Sequence, residues 1–282
     1  MPTSRTSPLR LRLTDANVLL IFTCALFALS LAQRYFSVIL QPGLWTEYGA
    51  SITHEVNAGE LLAFLAIVSV LGTARETPRL SKTDLAILSA CSLLFLSSKE
   101  SLPFVGATLA GLYFWRRYPS SQDLSSVGQL WLAISIYRVW GRLIFKIVSA
   151  PIVAAEALII AKAGQWMGYD LTLDGLRINA PSGWFVYILE GCSSFHNISL
   201  AGLLWLSLLK LGGARVDRSK IFALGIGVFF IICLNATRIL LMTPSEEAYH
   251  YWHEGSGAAY FSCATLIAIA APTLFSLRSK RS

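Results

Sequence analysis

The chain alternates long apolar runs with short polar loops. The runs fall at about 17–36, 57–73, 84–98, 102–116, 147–165, 196–211, 220–242 and 257–276. A helix that crosses a bilayer needs ~20 mostly apolar residues, and these runs approach that length. The pattern predicts an all-α, polytopic transmembrane helix bundle of about eight spans. No internal repeat or low-complexity segment is visible.

Cations orient the spans, because Lys and Arg accumulate in cytoplasmic loops. Arg5, Arg10 and Arg12 precede the first run, and Arg75, Arg79 and Lys82 lie between the second and third. Arg116 and Arg117 follow the fourth run, Lys210, Arg215, Arg218 and Lys220 separate the sixth from the seventh, and Arg278, Lys280 and Arg281 end the chain. Loops 37–56, 99–101, 166–195 and 243–256 are cation-poor by comparison. Both termini are therefore expected on the cytoplasmic side of a bacterial inner membrane. The first run has no clear small-residue cleavage site after it and reads as a retained span.

Two segments depart from the simple pattern. Residues 128–146 are apolar, yet Arg138, Arg142 and Lys146 recur at four-residue spacing on one helical face. Three cations facing lipid would be costly. The segment reads as an amphipathic interfacial helix on the inner leaflet, or as a re-entrant element with its cations turned inward. Residues 166–189 alternate at Leu171, Leu173, Leu176 and Ile178, with Gly175 and Pro181-Ser182-Gly183 as punctuation. They predict a small hairpin or extended lid on the outer face, its aromatics at the headgroup level.

Composition agrees with the membrane reading. Hydrophobic residues make up 55% and charged residues 14%, and mean hydropathy is +0.58. A soluble domain carries roughly 25% charged residues. The net charge of +7 follows from the loop cations and needs no nucleic-acid partner. Of the five cysteines, Cys24, Cys91, Cys233 and Cys263 fall in apolar runs, where a small packing residue is the ordinary role. Cys192 has polar neighbours instead.

Three outer-face positions carry candidate chemistry. Cys192 lies in Glu190-Gly191-Cys192-Ser193-Ser194 and opens an apolar run. A thiol at a helix N-terminus meets the positive end of the macrodipole, which favours the nucleophilic thiolate. Ser193 and Ser194 can cap that helix, and its free N–H groups can hold an oxyanion. Arg238, in Asn235-Ala236-Thr237-Arg238, lies near the outer end of its run. It stabilises a thiolate, oxyanion or carboxylate, or it pairs structurally with Glu190 or Glu254. Asn235, one turn earlier, can orient it. His253, in His253-Glu254-Gly255-Ser256-Gly257, is the candidate base. His250 lies three residues before it. His196 is the local rival, four residues after Cys192 and on the same face if both are helical. No HExxH helix or other metal spacing occurs, so neither metal nor cofactor is expected.

In this order the three motifs resemble those of the exosortase/archaeosortase family: E-x-C-S-G, N-x-x-R and H-x-x-x-G. Ser194 replaces the family's glycine, and Phe195-His196 stand where a basic residue is frequent. The resemblance covers about 150–262 and implies a catalytic membrane core at 147–282, after N-terminal helices at 1–146. It implies a membrane cysteine peptidase or transpeptidase with Cys192 as nucleophile, Arg238 as stabiliser and His253 as base. Glu190, Ser193, Asn235 and His196 support them. The implied partners are exported proteins that end in a short motif, a transmembrane helix and a basic tail, along with the lipid bilayer and exopolysaccharide machinery. The rival reading is a non-catalytic transporter or an assembly factor for exported polysaccharide, with Cys192 incidental.

Overall fold

In the computed structural model, residues 15–39, 58–74, 79–97, 99 and 101–278 are described. The expectations for Arg5, Arg10, Arg12, Arg75, Lys280, Arg281 and nearly all of loop 37–56 lie outside them. Ten helices occur among the described residues: α1 (Asp15–Ile39), α2 (Ala58–Gly72), α3 (Lys82–Leu93), α4 (Leu102–Arg117), α5 (Gln122–Ser135), α6 (Gly141–Trp166), α7 (Phe195–Leu211), α8 (Arg218–Met242), α9 (Glu246–His253) and α10 (Ser256–Arg278). Among the described residues, three helical stretches are long and apolar enough to cross a membrane: Gln122–Trp166, Arg218–Met242 and Ser256–Arg278. Asp15–Ser30, Ala58–Gly72 and Phe195–Leu211 are shorter apolar helices. The protein is an all-α membrane protein with one small sheet.

Residues 128–146 do not form a separate helix lying on the inner leaflet. α5 runs through a π-helical turn, Ile136–Trp140, into α6, giving 45 continuous helical residues. At 1.5 Å per residue that is about 67 Å, over twice the hydrocarbon thickness. Leu130, Trp131 and Ile134 are fully buried. Trp131 packs against Phe22 and Phe114, with ring centroids 4.7 and 5.6 Å away, and donates to Thr23 Oγ1 at 3.0 Å. Arg138 turns inward and forms an ion pair with Glu60 of α2. That partner, far away in sequence, offsets the cost of one of the three cations that argued for an interfacial helix. Arg142 and Lys146 remain exposed.

Small residues set the closest helix approach. A Cβ on Gly111 of α4 would lie 2.7 Å from the Gly128 carbonyl oxygen, and one on Gly128 would lie 2.8 Å from that of Gly111. α4 and α5 thus cross backbone to backbone. The main apolar core joins α1–α5 to α7 and reaches Ile231 and Ile269. It crosses the boundary expected near residue 146, so the N-terminal helices and the C-terminal half share one core.

Residues 172–187 hold a three-stranded antiparallel sheet in the order β1 (Thr172–Asp174), β2 (Arg177–Asn179), β3 (Phe185–Tyr187). Leu173 faces Ile178, which faces Val186. Leu171, Ile178, Val186 and Ile188 sit in a second apolar cluster with Val153, Ala157 and Ile160 of α6 and Ile239, Leu240 and Met242 of α8. Cys192, Tyr249 and Trp252 pack on that cluster. Gly164 admits Leu171 and Leu240, since its Cβ would lie 2.5 and 2.9 Å from their methyl groups.

Candidate functional site

Cys192 ends a 3₁₀ turn, Glu190–Cys192, rather than occupying the first turn of a helix. Ser193 is extended, Ser194 is the N-cap, and α7 starts at Phe195. The macrodipole effect fades within one turn, so Cys192 stands at its margin. Ser193 Oγ accepts the Phe195 N–H at 3.3 Å, whereas Ser194 makes no side-chain cap bond. The backbone amides here are already engaged. Cys192 N–H donates to Leu189 O at 2.9 Å, Ser193 N–H to Glu190 O at 3.2 Å, and Ser194 N–H to Glu156 Oε1 at 3.0 Å. These three amides are therefore not free to hold an oxyanion. The Cys192 thiol makes only a weak contact, 3.9 Å, with the Tyr187 carbonyl of the lid.

α8 ties the other motifs to this turn. Asn235 donates from Nδ2 to the Cys192 carbonyl at 2.8 Å. One turn later Arg238 donates from Nε to Trp252 O at 3.0 Å and from Nη2 to His253 O at 3.1 Å. These carbonyls end α9, where a cation is favoured. Arg238 pairs with neither Glu190 nor Glu254; its Nε and Nη2 hold α9, and Nη1 stands outside those bonds. Cys192 lies within electrostatic reach of both Arg238 and Tyr249. Burial, with the Cys192 and Glu254 side chains nearby, pushes the Tyr249 hydroxyl above its ordinary value.

His253 stacks on Tyr249, with ring centroids 4.8 Å apart and planes at 12°. Its Nδ1 is buried and has no hydrogen-bond partner; the nearest carboxylate oxygen, Glu254 Oε1, lies at 3.5 Å. His250 is exposed between Glu246 and Glu254. Gly257 lets α10 start against α9: a Cβ there would lie 2.3 Å from the Trp252 ring and 2.8 Å from the Tyr251 carbonyl oxygen.

Glu190 accepts from Ser149 Oγ at 2.6 Å. His196 does not share a helical face with Cys192, because Ser193 is extended. Its ring lies 5.7 Å from Tyr137, near Arg138 and Arg142. Trp184 Nε1 donates to Met242 O at 3.3 Å and Ser182 Oγ to Pro244 O at 2.9 Å, which ties the sheet to the end of α8. Among the described residues no three His, Cys, Asp or Glu side chains cluster around a metal position. Sequence reasoning missed Glu156, whose carboxylate also accepts the Ser194 hydroxyl. A lone acid in the 147–165 apolar run was the available signal, since intramembrane ionisable residues are costly and usually purposeful.

The family model described as transmembrane exosortase matches residues 18–270. No curated protein and no solved structure matches the chain.

Proposed function

Because this chain belongs to the transmembrane exosortase family, we propose that it is a membrane cysteine peptidase or transpeptidase. Its substrates are exported proteins with a C-terminal sorting signal, cleaved at the outer face of the cytoplasmic membrane. One observation carries the reading: a single face of α8 holds the Cys192 carbonyl through Asn235 and the end of the His253 helix through Arg238. Three segments distant in sequence are thereby drawn together.

The chemistry follows from those roles. His253 takes the Cys192 proton, and the thiolate attacks the scissile carbonyl carbon. The Cys192, Ser193 and Ser194 amides are engaged, which favours a side-chain donor for the oxyanion. We assign that role to Arg238, whose Nη1 lies outside the bonds to the α9 carbonyls and carries part of a full charge. The C–N bond then breaks, His253 returns its proton to the leaving amine, and a thioester remains on Cys192. Water or an acceptor amine attacks that thioester, regenerates the thiol and releases the product.

Trapping the intermediate tests this. Purified full-length protein incubated with a sorting-signal substrate should yield a hydroxylamine-labile adduct on the peptide containing Cys192. A substrate adduct on any other residue would reassign the nucleophile.

Topology gives a separate prediction. The cation pattern and the sheet's ties to α8 support a shared outer face for 166–195 and 243–256. Single cysteines at Asp174 and Ser245, in a background lacking the native thiols, should both react with an impermeant maleimide on intact cells. Labelling at one site alone would break this topology.

A further inference from the structure

Glu156 has no part in the chemistry above, yet it is the most tightly engaged acid near the nucleophile. It sits on α6 beside the buried Val153, Ala157 and Ile160. Its Oε1 accepts both the Ser194 amide, at 3.0 Å, and the Ser194 hydroxyl. Its Oε2 is buried with no hydrogen-bond partner. Burying a carboxylate oxygen unpaired costs free energy, and an apolar residue would pack here without that cost. Ser149 lies two turns earlier on α6 and donates to Glu190 at 2.6 Å. One helix face therefore grips the 190–194 turn at both ends, and Asn235 holds its middle through the Cys192 carbonyl.

The geometry points to Glu156 as a positioning residue for the Cys192 thiol: its carboxylate fixes Ser194, and Ser194 fixes the chain that presents the nucleophile. Glu156 touches no reacting atom. It also occupies the Ser194 amide, which is thereby not an oxyanion donor. The inference rests on the peptidase reading, but one arm of its test does not need turnover.

The first arm is kinetic, with the full chain purified in detergent. Glu156→Leu should lower kcat about 100-fold with KM within about twofold, as expected when a reacting group shifts by about 1 Å. Glu156→Gln keeps an acceptor for Ser194 and should return kcat to within about threefold of wild type, given the modest net worth of one hydrogen bond. Adding Ser194→Ala to Glu156→Leu should cost nothing more, because the hydroxyl's partner is already gone. If Glu156→Leu fails to accumulate in the membrane, Ser194→Ala alone, which loses the hydroxyl bond and keeps the amide bond, should show a smaller loss confined to kcat. The second arm alkylates Cys192 as the sole cysteine. A fixed thiol discriminates between a small methanethiosulfonate and a bulky maleimide, and Glu156→Leu should reduce that rate ratio at least about threefold as the turn loosens. An unchanged kcat, a loss confined to KM, or an unchanged alkylation ratio would each overturn the assignment. A wild-type protein that cleaves no substrate would sink the peptidase reading instead, with the alkylation arm still deciding the role of Glu156.

Discussion

Arg238→Lys is expected to lower kcat about 100- to 1,000-fold, the usual cost of removing an oxyanion donor. Both variants carry the charge, but geometry separates them. Arg238 uses Nε and Nη2 to hold the Trp252 and His253 carbonyls while Nη1 stands free. Lysine is a point charge on a flexible stem and cannot span both carbonyls and a third acceptor in a fixed plane. Two consequences follow. α9 loses part of its attachment, and the oxyanion loses its donor. The measurement is single-turnover cleavage by Arg238→Lys, with thermal unfolding in parallel to confirm that the bundle persists. Cleavage within about threefold of wild type would reduce Arg238 to a charge and would remove the argument from the closed amides of the nucleophile turn.

His253→Ala should cost about 100- to 10,000-fold, the range for losing a general acid–base group. His196→Ala should cost less than about tenfold by the same measure, because its ring lies near Tyr137, Arg138 and Arg142 rather than sharing a helix with Cys192. His250→Ala is the control, since that ring is exposed between two glutamates. The comparison is kcat/KM for the three variants on one substrate. A larger loss in His196→Ala than in His253→Ala would move the base to α7 and demand a different docking of substrate.

The membrane class was legible because long apolar runs have few alternatives, and the three motifs were legible because polar groups at span ends stand out against them. The lid was legible in part: alternation at Leu171, Leu173 and Ile178 marked extended chain, while the third strand at Phe185–Tyr187 needed pairing partners that local pattern does not supply. The continuity of α5 and α6 was hidden because the cost of Arg138 depends on Glu60, and periodicity cannot announce a partner 78 residues away. The placement of Cys192 failed for a subtler reason. An apolar run beginning at residue 196 does not say how many residues precede the helix, and two were enough to take Cys192 off the first turn and to break its register with His196. Glu156 was visible as an isolated acid, but its target, the Ser194 amide, exists only once the turn is folded.

The central claim is that the Cys192 thiol is the nucleophile, and Cys192→Ala tests it most directly. The variant, expressed with a tagged substrate that ends in a motif, a transmembrane helix and a basic tail, should accumulate in the membrane at wild-type level and leave the substrate uncleaved. Wild-type processing of that substrate by Cys192→Ala would contradict the account and return the protein to the rival reading, a transporter or assembly factor in which the cysteine is incidental.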